Sequence, residues 1–126
     1  MRIFKNNSFA KFAHRECISD EKLFEVIREA DKGNIDADYG SGLIKQRISR
    51  PNQGKSSGYR SIIYYRHRDR AFFVYGFSKK DRNNIDSDEK KEFKRQAKLV
   101  LTLDDKKILK LLENGTYEEV HDDDKN

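Results

Sequence analysis

The spacing of apolar residues changes period twice along the chain. Phe9, Phe12 and Ala13 recur at helical intervals after Ser8, which predicts a short helix there. A second helix is expected from Ser19, with Asp20 and Glu21 suited to its positive end. Leu23, Phe24, Ile27 and Ala30 form its apolar stripe, and Gly33 stops it. From Leu43 to Ser49 the period becomes two. Ile44, Gln46 and Ile48 point one way; Lys45, Arg47 and Ser49 point the other. Tyr59–Arg66 and Ala71–Ser78 read as two more strands joined by the tight turn His67-Arg68-Asp69-Arg70, an antiparallel hairpin. Helical spacing then returns. Asp86 and Glu89 form a capping box ahead of Phe93, Ala97, Val100 and Leu101. Thr102 or Asp104 caps a last helix carrying Ile108, Leu111 and Leu112, which ends at Gly115. The fold class expected is α+β: an N-terminal helical hairpin packed on an antiparallel sheet, with C-terminal helices.

Ser49–Gly58 holds the only proline and two glycines and reads as a mobile basic loop. With 126 residues, 35% hydrophobic and 39% charged, the chain suits one domain, placed at 1–114. Residues 115–126 read as an acidic, flexible tail with a net charge of −4. No apolar run is long enough to span a bilayer, and the start lacks a secretory pattern. With a single cysteine, Cys17, these features predict a cytoplasmic protein with no membrane association.

Charge is unevenly placed. Between Lys45 and Arg82 eleven Lys and Arg face only Asp69 and Asp81, a net of +9. A field so concentrated suits a polyanion, either nucleic acid or an acidic protein. His14, His67 and His121 offer no zinc-ligand spacing, and Gly54-Lys55-Ser56 lacks the upstream glycine of a phosphate loop. No metal and no cofactor is expected. Inward carboxylates are absent from the predicted strands.

What remains is a cationic sheet. Lys45 and Arg47 share a strand face, Arg60 opens the next strand, and Lys79, Lys80 and Arg82 lie where the third ends. Antiparallel neighbours bring these groups to one edge. Such a site suits RNA cleavage without metal, because RNA carries its own nucleophile, the 2′-hydroxyl. Arginine stabilises charge on the phosphoryl oxygens; lysine moves protons once like charges lower its pKa. Tyr59, Tyr64, Tyr65 and Phe77 either stack on bases or belong to the core.

Three stretches carry a family resemblance: Gly42-Leu-Ile-Lys-Gln-Arg-Ile48, Gly58-Tyr-Arg-Ser-Ile-Ile-Tyr-Tyr65 and Phe72-Phe-Val-Tyr-Gly-Phe-Ser-Lys-Lys-Asp-Arg-Asn-Asn-Ile85. In that order, and with the ending Leu112-Glu-Asn-Gly-Thr-Tyr-Glu-Glu-Val120, the chain resembles the RelE/ParE superfamily of toxin–antitoxin toxins over roughly residues 1–120. It is most similar to the RelE-type, HigB-like branch with a helical C-terminal extension. The resemblance implies a RelE-like, microbial-RNase-like fold. It also implies a toxin that cleaves mRNA on the ribosome, leaves a 2′,3′-cyclic phosphate, and is neutralised by a cognate antitoxin. By position, Lys45, Arg60 and Lys80 match catalytic residues. Arg47, Arg50, Lys55, Tyr59, Lys79 and Arg82 are read as RNA-binding. One departure stands out: RelE proper has a tyrosine near the position of Ile85–Asp86, and this chain has none. Because the ParE branch shares the fold, the alternatives are a non-enzymatic gyrase inhibitor or an inactive RNA- or ribosome-binding relative.

Overall fold

The computed structural model describes residues 1–49 and 58–122. In chain order the elements are β1 (Arg2–Asn6), α1 (Asn7–Arg15), α2 (Asp20–Asp31), β2 (Ala37–Gly40), β3 (Leu43–Ile48), β4 (Tyr59–Arg66), β5 (Arg70–Ser78), α3 (Ser87–Val100), α4 (Asp105–Glu113) and β6 (Tyr117–Val120). The class is α+β, four helices on a six-stranded sheet of order β2-β3-β4-β5-β1-β6.

Each helix starts where a short polar side chain accepts a bond from an otherwise orphaned N–H: Asn6, Ser19, Asp86 and Asp104 are the caps. Asn6, not the neighbourhood of Ser8, begins α1. Its amide also donates to the Val74 carbonyl at 3.1 Å. That carbonyl sits at a bulge: Ile62 pairs with Tyr75 and Ile63 with Phe73, which leaves Val74 as the extra residue.

The sheet has two covered faces. Ile44, Ile48, Tyr59, Ile63, Tyr65 and Phe73 meet α1 and α2 through Phe9, Phe12, Leu23 and Ile27. Leu43, Ile62, Tyr64, Phe72, Val74 and Phe77 meet Ala97, Val100, Leu101 and Ile108 of the C-terminal helices and the loop between them. β4 is buried from Tyr59 through Tyr65, as befits a central strand.

Two expectations need correction. The sheet is mixed rather than antiparallel, because β1 pairs with β5 in parallel. The N-terminal stretch is that strand: Ile3 and Phe4 are fully buried. Residues 117–120, assigned above to a flexible tail beyond 114, form β6 against β1. Tyr117 and Val120 turn inward while Glu118 and Glu119 meet Lys5 and Arg2. These two carboxylates are satisfied at the sheet edge. Among the described residues no helix is long and apolar enough to cross a membrane.

Candidate functional site

Strand alternation decides which cations share a surface. Gln46 points into the α2 side, where it is buried and fixes the preceding loop: its amide oxygen accepts from the Asp36 N–H and its nitrogen donates to the Asn34 carbonyl. Lys45 and Arg47 therefore face the opposite side, the side of α3. In register, Lys45 stands across from Ile62 and Arg47 across from Arg60. Arg60 stands in turn across from Phe77 on β5. The result is a row Arg47–Arg60–Phe77 with Lys45 one step inward on the same face.

Arg60 is 7% exposed and its Nη1 donates to the Tyr59 carbonyl at 3.2 Å. Burial first, then the Arg47 charge, pushes its guanidinium below its ordinary pKa, while Asp36 pulls it back. Arginine remains protonated throughout the physiological range. Asp36 also accepts the Arg47 N–H and lies 3.9 Å from its Nε. Lys45 is half-buried and Arg47 exposed.

Lys79 and Lys80 follow at the same end. Ser78 is opposite Tyr59, and the chain turns at once. The Ser78 hydroxyl accepts the Lys80 N–H at 3.1 Å, and its carbonyl accepts those of Asp81 and Arg82 at 3.0 and 3.2 Å. Both lysines are exposed, and with Lys45 they make no ion pair with a described carboxylate. Lys45, Arg47, Arg60, Lys79 and Lys80 thus lie at one end of the sheet. Arg50 and Lys55 lie outside the described residues.

Two expected RNA contacts do not fit this surface. Tyr59 is on the opposite face, 7% exposed, with its ring edge-on to Phe12 of α1. Its neighbour Arg60 lies on the α3 side, so strand alternation puts the two side chains on opposite faces of the sheet. Arg82 is on the correct side but engaged. Its Nη2 donates to Glu89 Oε1 at 2.6 Å; its Nη1 donates to Glu89 Oε2 and to the Tyr75 hydroxyl; its Nε donates to the Asn84 carbonyl. Tyr64 and Phe77 are core residues, and the Tyr65 hydroxyl bonds Asp31 at the other end of β4.

Sequence reasoning passed over Tyr75. The bulge at Val74 turns it to the Arg60 face, where its half-buried ring stacks on Phe93 and meets Phe77 at a tilt. Simple alternation hides it; the consecutive apolar run 72–75 was the signal of an irregular strand. Between α1 and this end of β5 a cleft of about 580 Å³ is lined by Lys11, Arg15, Tyr75, Phe77, Ser78 and Arg82 among others. Among the described residues no three His, Cys, Asp or Glu side chains are grouped to hold a metal ion.

The arrangement suits a phosphate in a charged backbone: a buried fork of donors, a second guanidinium beside it, and lysines on either side. A search of curated proteins finds no match for the chain. The family described as the RelE toxin of the RelE/RelB toxin–antitoxin system matches residues 1–120, nearly the whole chain and all six strands. The chain belongs to the RelE toxin family.

Proposed function

We propose that this toxin is a metal-independent, ribosome-dependent mRNA endoribonuclease of the RelE-type, HigB-like branch, acting in the cytoplasm and restrained by a cognate antitoxin. The observation that carries the reading is the cross-strand pair Arg47–Arg60. Like charges set opposite each other weaken a sheet, and one of them is desolvated as well, so the pair answers to a ligand. A phosphodiester repays both.

In this reading Arg60 grips the non-bridging oxygens of the scissile phosphate. The 2′-oxygen attacks phosphorus, the bond to the 5′-oxygen breaks, and the products are a 2′,3′-cyclic phosphate and a 5′-hydroxyl. Lys45 and Lys80 between them take the 2′-proton and supply the proton to the leaving oxygen. Arg47, Arg50, Lys55 and Lys79 hold the RNA backbone. No tyrosine is needed: Tyr59 faces away, and the lysines carry the proton transfers.

The test is purified toxin on programmed ribosomes, with end mapping and an Arg60→Ala variant whose folding is checked by circular dichroism. Cyclic phosphate ends from the native protein, and none from the variant, are expected. Cleavage leaving a 3′-hydroxyl, or undiminished cleavage by Arg60→Ala, would refute the assignment. Inhibition of gyrase with intact mRNA would favour the non-enzymatic alternative.

A further inference from the structure

Resting on that reading of the site, we infer that Arg82 is a positioning residue: its bidentate pairing with Glu89 fixes the turn that presents Lys80, and it does not itself bind RNA. Lys80 has no regular secondary structure around it. It sits in a turn whose two ends are tied differently. At the start, Ser78 gathers three N–H groups, those of Lys80, Asp81 and Arg82. At the far end, Arg82 reaches three separate elements. It meets Glu89 in the first turn of α3, the Tyr75 hydroxyl on β5, and the Asn84 carbonyl in the connection between them. Its guanidinium also lies 5.8 Å from the ring centres of both Tyr75 and Phe77.

Glu89 is held just as firmly. It closes the capping box of α3 by accepting the Asp86 N–H at 2.9 Å while it receives Arg82. The α3 N-terminus, the end of β5 and the lysine turn therefore share one knot. A guanidinium with every nitrogen committed, and a carboxylate across from it, has little net attraction left for a phosphate. Removing Arg82 leaves the turn pinned by Ser78 alone, and removing Glu89 unties it from α3 and leaves Arg82 only its bonds to Tyr75 and Asn84; a displacement of about 1 Å at a group that must reach a leaving oxygen is enough to cost up to about a hundredfold in rate.

The discriminating experiment compares Arg82→Gln, Glu89→Gln and the double variant in two assays. In cleavage of ribosome-bound mRNA, both single variants are expected to lose about tenfold to a hundredfold, with kcat falling and KM nearly unchanged. The double variant should be no worse than the poorer single. If Arg82 instead touches RNA, Glu89→Gln releases it: KM then falls for Glu89→Gln and rises for Arg82→Gln, and the inference is overturned. The second assay is amide hydrogen exchange at residues 80–82 in the full chain. Both substitutions should speed it there and leave β4 protected; unchanged exchange overturns the inference too. Should the native protein cleave no mRNA, the proposed function fails, and the exchange result alone decides the clamp.

Discussion

Arg47 and Arg60 stand directly opposite each other on β3 and β4, facing the same side of the sheet. No element of the fold requires that repulsion. Asp36 offsets it at Arg47, which it holds through the backbone N–H and, more distantly, the guanidinium. Arg47→Gln keeps the backbone bond and removes the clash. Stability is expected to stay level or rise by up to about 1 kcal/mol, while cleavage of ribosome-bound mRNA falls. Urea denaturation beside a cleavage assay checks both; a clear loss of stability would mean that the pair supports the fold.

Gly58 shows how tightly the strands are set around Arg60. A Cβ there would lie 2.5 Å from the Ile48 carbonyl oxygen, a backbone atom that cannot rotate away. Gly58→Ala must therefore push β3 and β4 apart two residues before Arg60. A loss of about 1–3 kcal/mol is expected, with cleavage reduced beyond what the unfolded fraction explains. Thermal melts and cleavage at a temperature well below the midpoint separate the two effects.

The Glu89 carboxylate has a definite acid limit. Arg82 first, and the Asp86 N–H second, hold its pKa below the usual value of 4.5. A carboxyl depressed in the folded state stabilises above its unfolded pKa and loses that contribution as pH falls through the folded one. From pH 6 to 8 the stability gap between the native protein and Glu89→Gln should be flat; below about pH 4 it should close. Denaturation curves at stepped pH test this, and a gap that changes near neutrality would contradict it.

β6 makes the C-terminal segment part of the domain. Truncation after Thr116 removes buried Tyr117 and Val120 and strips Arg2 and Lys5 of Glu119 and Glu118. Each apolar side chain contributes about 1.5–3 kcal/mol, so the truncated chain should melt many degrees lower or fail to fold. An unchanged melting temperature would show that β6 adds nothing.

The sequence was most readable where one signal sufficed. Caps such as Ser19 and Asp86 announced their helices, and the alternation from Leu43 to Ile48 placed Lys45 and Arg47 on one face. Elements that depend on distant partners were hidden. β1 is four apolar or charged residues and an asparagine whose strand state is imposed by parallel pairing with β5. β6 carries two glutamates that read as a solvated tail until Arg2 and Lys5 are seen beside them. The hairpin of β2 and β3 was missed, although its turn is marked by Gly40-Ser41-Gly42, where all three residues take positive φ. At the site, charge pointed to Arg82 as readily as to Arg60. Only the contact with Glu89, seven residues away, separates a committed guanidinium from one that stands beside another arginine.

In the proposed reaction the RNA supplies its own nucleophile to a cationic clamp. This is tested most directly by programming ribosomes with an mRNA bearing one 2′-deoxynucleotide on the 5′ side of the mapped cut, and comparing it with the all-ribose message at saturating toxin. Cutting at that bond should disappear while toxin binding to the ribosome is unchanged. Continued cleavage at the substituted bond would contradict it.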